Sequence, residues 1–156
     1  DADPGRLAVE DTGLGNVASK IVKNQRKTFG TLRDLLRVKT VGVIEEDHAR
    51  GIVKWAKPVG VVGALTPSTN PAATPVNKAM MALKGGNAVI IAPSPAGQVT
   101  TGRTVELMRA ELEKAGHPVD LVQILPGWRP GLGVKVLLVQ NVARDQLKSE
   151  VGSLRP

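Results

Sequence analysis

Residues 57–95 read KPVGVVGALTPSTNPAATPVNKAMMALKGGNAVIIAPSP, and this stretch decides the fold. Val59 to Leu65 is a continuous apolar run of strand length, the pattern of a strand buried on both faces. A helix follows. Pro71 or Pro75 is placed to take its first position, with Asn70 or Thr74 as the cap. Val76, Ala79, Met80 and Leu83 form its buried stripe. Gly85 and Gly86 stop it. Residues 88–92 (AVIIA) make a second buried strand. Both strands end in loops of Pro, Ser, Thr and Asn. In an open α/β sheet, ligands lie beyond the carboxyl ends of the strands.

Working outward, residues 99–115 predict a second amphipathic helix, with Val105, Met108, Leu112 and Ala115 in register and with Gly116 and Pro118 ending it. Residues 120–125 (DLVQIL) give a third strand. The order β-α-β-α-β predicts a parallel sheet with right-handed crossovers, a Rossmann-like α/β architecture. Upstream, residues 14–37 read as a helix. Val17, Ile21, Asn24 and Thr28 share a stripe, and Val22, Phe29, Leu32 and Leu36 continue its apolar side. Residues 39–45 and 52–56 alternate around a polar turn and predict a β-hairpin at about 39–56. Residues 134–139 have the composition of a strand, and 143–151 of a short helix at most.

The chain has 156 residues, enough for one domain with a real core, and 42% are apolar. Aromatics are scarce, with Phe29, Trp55 and Trp128 as the full set. The core must therefore come from Val, Leu, Ile, Ala and Met. No apolar run approaches the roughly 18 residues that cross a bilayer, and the first residues show no signal peptide. There is no cysteine and only two histidines, His48 and His117, which excludes disulfides and thiolate or His-rich metal sites. The expected compartment is the cytoplasm, with no membrane partner.

The formal charge is +7. Lys20, Lys23 and Lys27 fall on one helical face beside Arg26, which reads as a solvated face. Neither interleaved aromatics nor a groove-reading motif is present, so nucleic acid is not an expected partner. Anionic cofactors or substrates account equally well for the basic surplus.

Three motifs carry chemistry. Gly13, Gly15 and Ala18 match the dinucleotide pattern G-x-G-x-x-A, but that pattern needs a strand before it, and the preceding residues are not one; it reads as a loop before a helix. Thr66-Pro67-Ser68-Thr69-Asn70-Pro71 offers hydroxyls, an amide and a helix N-terminus, a set able to hold an anion or a developing oxyanion. Plain helix capping uses the same residue types. Gly127, Gly131 and Gly133 follow the third strand and read as a glycine-rich turn; Arg129 beside them is able to pair with a phosphate.

The 57–95 run resembles the aldehyde dehydrogenase superfamily, and within it the CoA-acylating branch of propionaldehyde- and sulfoacetaldehyde-type dehydrogenases, whose P-[ST]-T-N-P loop stands where ordinary members have P-W-N-x-P. VEDTGLGNVASKIVKN and GVIEED resemble flanking segments of the same family, and PSTNPAATPVNKAMMALKG is similar to the sulfoacetaldehyde subgroup. The resemblance covers Leu7 to about Gly127. It implies an oxidoreductase that converts an aldehyde, CoA and NAD or NADP into an acyl-CoA through a cysteine thiolate. It places Thr69 and Asn70 on the oxyanion side, with either able to be the acting residue. Thr66, Pro67 and Ser68 would lie by the nicotinamide, Ala92, Pro93, Ser94 and Pro95 by the adenosine, and Gly127 by the pyrophosphate. Residues 1–133 would be a partial cofactor-binding domain and 134–156 a divergent or truncated tail. The thiolate is missing, so the chain alone is expected to lack turnover, and the alternative is a non-catalytic remnant that binds a nucleotide or a partner. The family's full-length members imply a homo-oligomer, paired through the hairpin.

Overall fold

In a computed structural model that describes residues 3–126, the elements run α1 (Pro4–Thr12), α2 (Val17–Leu36), β1 (Gly42–Asp47), β2 (Ile52–Ala56), β3 (Val61–Thr66), α3 (Ala73–Lys84), β4 (Ala88–Pro93), α4 (Gln98–Lys114) and β5 (Val122–Ile124). The expectations for Gly127, Arg129, Gly131, Gly133 and residues 134–156 lie outside the described residues.

The three apolar runs pair as a parallel sheet in the order β3-β4-β5. Val62 stands opposite Val89 and Val89 opposite Val122, while Ala64 stands opposite Ile91 and Ile91 opposite Ile124. Successive side chains alternate between faces, so these residues share one face. Against it pack Ala79 and Ala82 of α3 and Val105 of α4, and Ala64, Val89, Ile91 and Val122 are wholly covered. Both helices join neighbouring strands in the same direction, which puts both on this face. The small residues let helices and sheet approach closely, so the core needs no aromatic ring. On the opposite face Val61 and Leu65 remain exposed.

Several expectations change at the termini of elements. Residues 4–12 form α1, a helix where the sequence reading assigned no element. Pro4 opens it and Gly13, at φ 66, closes it in the left-handed conformation with its N–H on Val9 O. Gly5 is buried where α1 crosses α2, and a Cβ there would meet Ile21 Cγ1 at 2.7 Å. The G-x-G-x-x-A pattern thus bridges two helices and follows no strand. α2 starts at Val17 and not at residue 14, because Asn16 Oδ1 accepts the Ser19 N–H at 2.9 Å. Ile21, Asn24 and Thr28 face α3. Val22, Phe29, Leu32 and Leu36 are exposed, so they do not continue the buried side. Lys20 is buried, at 7% exposure, against the expectation of a solvated basic face.

α3 begins after Ala72, with no side-chain cap, so neither Asn70 nor Thr74 caps it. Instead Asn70 O accepts the Thr74 N–H at 3.2 Å. Pro75 occupies the third helical position, where the missing N–H has no intrahelical partner to lose. The hairpin pairs β1 with β2, shifted from 39–45 to Gly42–Asp47, with an irregularity between Val43 and Glu45. Asn87 Oδ1 accepts the Val59 and Gly60 N–H groups at 2.6 and 2.9 Å and so fixes where the chain enters β3.

Candidate functional site

The sheet register sets the site. Thr66, the last residue of β3, lies opposite Pro93, the last of β4. Ser94 N–H donates to Thr66 O at 3.0 Å and the Thr66 hydroxyl to Ala92 O at 3.4 Å. The 66–70 and 92–95 loops therefore leave the same end of the sheet side by side. A third contact locks them: Gly97 lies on Pro71, where a Cβ would meet Pro71 Cβ at 2.8 Å and Ser94 Oγ at 3.1 Å. Thr101, wholly buried in the first turn of α4, donates its hydroxyl to Pro71 O at 3.0 Å.

The expected site residues divide by exposure. Thr66, Ala92 and Pro93 are buried and form the floor. Pro67, Thr69 and Pro95 are exposed, and Ser68, Asn70 and Ser94 are half-buried. The Asn70 Nδ2 approaches Thr69 Oγ1 at 3.4 Å, at the outer limit of a hydrogen bond. Asn70 Oδ1 and Ser94 Oγ are buried atoms without a hydrogen-bond partner. Buried polar atoms are nearly always paired, so two orphans, one in each loop, mark polar capacity that the described residues leave unused. Gly127 lies outside the described residues.

Two further residues converge here, and no sequence pattern announced either. Lys20 reaches from α2 and donates from Nζ to Thr69 O at 3.0 Å. Burial, and secondarily the charge of Lys23, hold its pKa below the usual lysine value of 10.5. Asp11 reaches from α1, and its Oδ2 accepts the Thr100 N–H at 2.9 Å. Thr100 stands in the first turn of α4, whose local cap is Gly97 and offers no side chain. The N-terminus of α4 is thus already occupied by a carboxylate of the chain itself, while the first turn of α3 has no side-chain cap.

A separate apolar groove of about 550 Å³ runs between α2, α3 and α4, with Ile21, Val76, Met80, Leu83, Met108 and Leu112 among its walls. It lies on the helical face, and Asp3, Asn24, Gln25, Thr28 and Glu111 also line it. Among the described residues no three His, Asp or Glu side chains gather as a metal site. No helix of these residues is long and apolar enough to cross a membrane.

Comparison with known proteins agrees with this fold. Residues 14–144 match the aldehyde dehydrogenase family. An acylating sulfoacetaldehyde dehydrogenase of Cupriavidus necator is 62% identical over 119 residues, which are 76% of this chain and 24% of that protein. The chain thus spans about a quarter of the length of the curated relatives it matches. An acetylating aldehyde dehydrogenase from Geobacillus thermoglucosidasius superposes with a TM-score of 0.70 at 34% identity, covering 78% of this chain and 27% of that one. A propionaldehyde dehydrogenase from Rhodopseudomonas palustris, solved with bound CoA and an acylated cysteine, gives 0.60 at 30% identity, covering 78% and 27%.

Proposed function

The chain belongs to the aldehyde dehydrogenase family, and from that premise we propose that it is the cofactor-side part of a CoA-acylating enzyme, one that converts an aldehyde, CoA and NAD or NADP into an acyl-CoA and the reduced cofactor. The observation that carries the reading is the pair of loops at the ends of β3 and β4, each with a buried polar atom lacking a partner, Asn70 Oδ1 and Ser94 Oγ.

The residues fit a dinucleotide. The floor of Thr66, Ala92 and Pro93 is small and closed, and Gly97 keeps the two loops close. This lets a ligand backbone approach the strand ends. The 92–95 loop, with the Ser94 hydroxyl, is assigned to the adenosine side, and Pro67 and Ser68 to the nicotinamide side. Asn70 is assigned the oxyanion: an amide offers two N–H donors, and Thr69 Oγ1 takes no more than one of them. A donor fixed in advance at a developing oxyanion stabilises the transition state without reorganisation, and loss of one such donor costs about 100- to 1000-fold in rate. A bound NAD or NADP supplies the hydride acceptor. The thiolate nucleophile is not among these residues, since the chain has no cysteine, and the thiol that would accept the acyl group belongs to CoA itself.

That absence favours a second reading for the 156 residues taken alone, in which they bind a nucleotide without turnover. The 62% identity to an acylating sulfoacetaldehyde dehydrogenase makes sulfoacetaldehyde the first aldehyde to assay with any longer protein that contains this segment. The test is calorimetric titration of the purified chain with NAD, NADP and CoA in turn. Saturable binding of a dinucleotide, weakened in Ser94→Ala, is the expected result. Flat titrations with all three ligands would remove the reading.

A further inference from the structure

Lys20 is a buried cation that the proposed function does not use. Among the described residues no carboxylate lies within ion-pair reach of it, and its Nζ donates to one acceptor, Thr69 O. An ammonium taken out of water without a counter-charge costs free energy. A methionine would fill a similar volume without that cost. A residue that breaks the local rule in this way belongs to a functional site more often than to a scaffold.

The effect of the contact follows from backbone geometry. Pro67 fixes its own φ and restricts Thr66, and Pro71 fixes its own φ and restricts Asn70. The dihedrals of Ser68 and Thr69 are left free by these prolines. The Thr69–Asn70 peptide is planar and trans, so its C=O and N–H point in opposite directions. Thr69 O is drawn toward α2 by Lys20, and the Asn70 N–H points the other way, onto Pro67 O at 3.4 Å. One ammonium therefore sets the plane from which both the Thr69 and the Asn70 side chains project. Gly15, at φ 77, turns the chain beside the lysine stem, where a Cβ would stand in ordinary contact, 3.4 Å from Lys20 Cε.

We propose that Lys20 is the positioning residue of the 66–70 loop: by holding Thr69 O it locks the one peptide plane that orients Thr69 and Asn70. The proposal rests on the assignment of that loop to the cofactor and oxyanion side. It adds to that assignment a residue 49 positions upstream in the sequence.

The absence of cysteine permits a clean test. Lys20→Cys carries a single thiol, which is alkylated in denaturant with 2-bromoethylamine to rebuild a charged lysine analogue, or with 1-bromopropane to give a neutral chain of similar length. Both adducts are refolded and compared with wild type and Lys20→Met. The readouts are thermal midpoint, amide hydrogen exchange at Asn70, whose N–H is bonded to Pro67 O, and dinucleotide affinity. The expected result is that the neutral forms keep the midpoint or raise it, exchange about tenfold faster at the Asn70 amide alone, and bind about tenfold more weakly, as for loss of one charge-assisted hydrogen bond. The aminoethyl adduct restores both values. Unchanged local exchange in folded neutral forms, or a loss spread evenly over the molecule, overturns the proposal. If wild type binds no dinucleotide, the functional assignment falls, and local exchange still decides whether Lys20 orders the loop.

Discussion

Asp11 Oδ2 lies 2.9 Å from the backbone nitrogen of Thr100, and through that bond a carboxylate from the first helix caps α4, 89 residues later. The cap supplies what Gly97 lacks at the N-terminus of α4. It also ties the helix pair α1–α2 to the parallel sheet domain on the side of the candidate site. With Lys20 on Thr69 O, it makes the two N-terminal helices the support of both loops.

Removing the cap should be measurable. Asp11→Ala is expected to lower stability by about 1–2 kcal/mol, since it loses a hydrogen bond and a negative charge at a helix N-terminus. Asp11→Asn keeps the acceptor and should lose less. Urea unfolding followed by circular dichroism reads both, and equal midpoints for all three forms would refute the capping role.

Gly97→Ala should separate the loops. Its Cβ would stand 2.8 Å from Pro71 Cβ, and a proline ring has no rotamer with which to retreat. We expect a loss of about 1–3 kcal/mol, the usual range for overpacking, together with weaker dinucleotide binding. An unchanged midpoint would mean that the contact relaxes freely.

Ser94→Ala should separate stability from binding. The hydroxyl is a buried atom without a partner, so its removal should leave stability unchanged or raise it by up to about 1 kcal/mol. Dinucleotide affinity should fall. Paired melting and calorimetric measurements check the two signs.

The pH dependence of Lys20 has a definite sign. Its folded-state pKa lies below 10.5, chiefly through burial and then through Lys23. Between that lowered value and 10.5 the unfolded chain binds more protons, so stability gains a contribution as pH rises through the window. The burial penalty is full below the folded pKa and disappears above 10.5. The stability advantage of Lys20→Met over wild type should therefore shrink as pH is raised toward that value. Urea midpoints of the pair across neutral to alkaline pH test it, and a constant difference would count against burial as the cause.

The hairpin should drive self-association. Ile44, Val53 and Trp55 are exposed, with Trp55 at 62%, on a two-stranded sheet whose outer edges pair with no other described strand. Such edges template pairing between chains. Val53→Lys is expected to shift the concentration dependence of elution in size-exclusion chromatography toward monomer. A wild-type chain that stays monodisperse at high concentration would remove the premise.

The apolar runs at 59–65 and 88–92 and the stripe of α3 were legible because burial demands them wherever the chain lies. The segments 66–70 and 92–95 were legible as loops because prolines and hydroxyl residues at strand ends interrupt regular structure. α1 was missed because Pro4 and Gly13, which open and close a helix, serve loops equally well. The exposed Phe29 and Leu36 were read as buried because helical period identifies a face without saying what covers it.

The sequence by itself determined the sheet and its parallel pairing, since these depend on residue type and local period, and its connected series of motifs resembled the family. Tertiary structure alone decided that Lys20 leaves its basic neighbours for Thr69 O, that Asp11 caps α4, and that Asn70 leaves α3 uncapped with one amide atom unpaired. Each of these rests on contacts between residues distant in sequence or on burial, and neither has a local signature. Lysine and aspartate read from sequence are solvated charges until the fold removes the water.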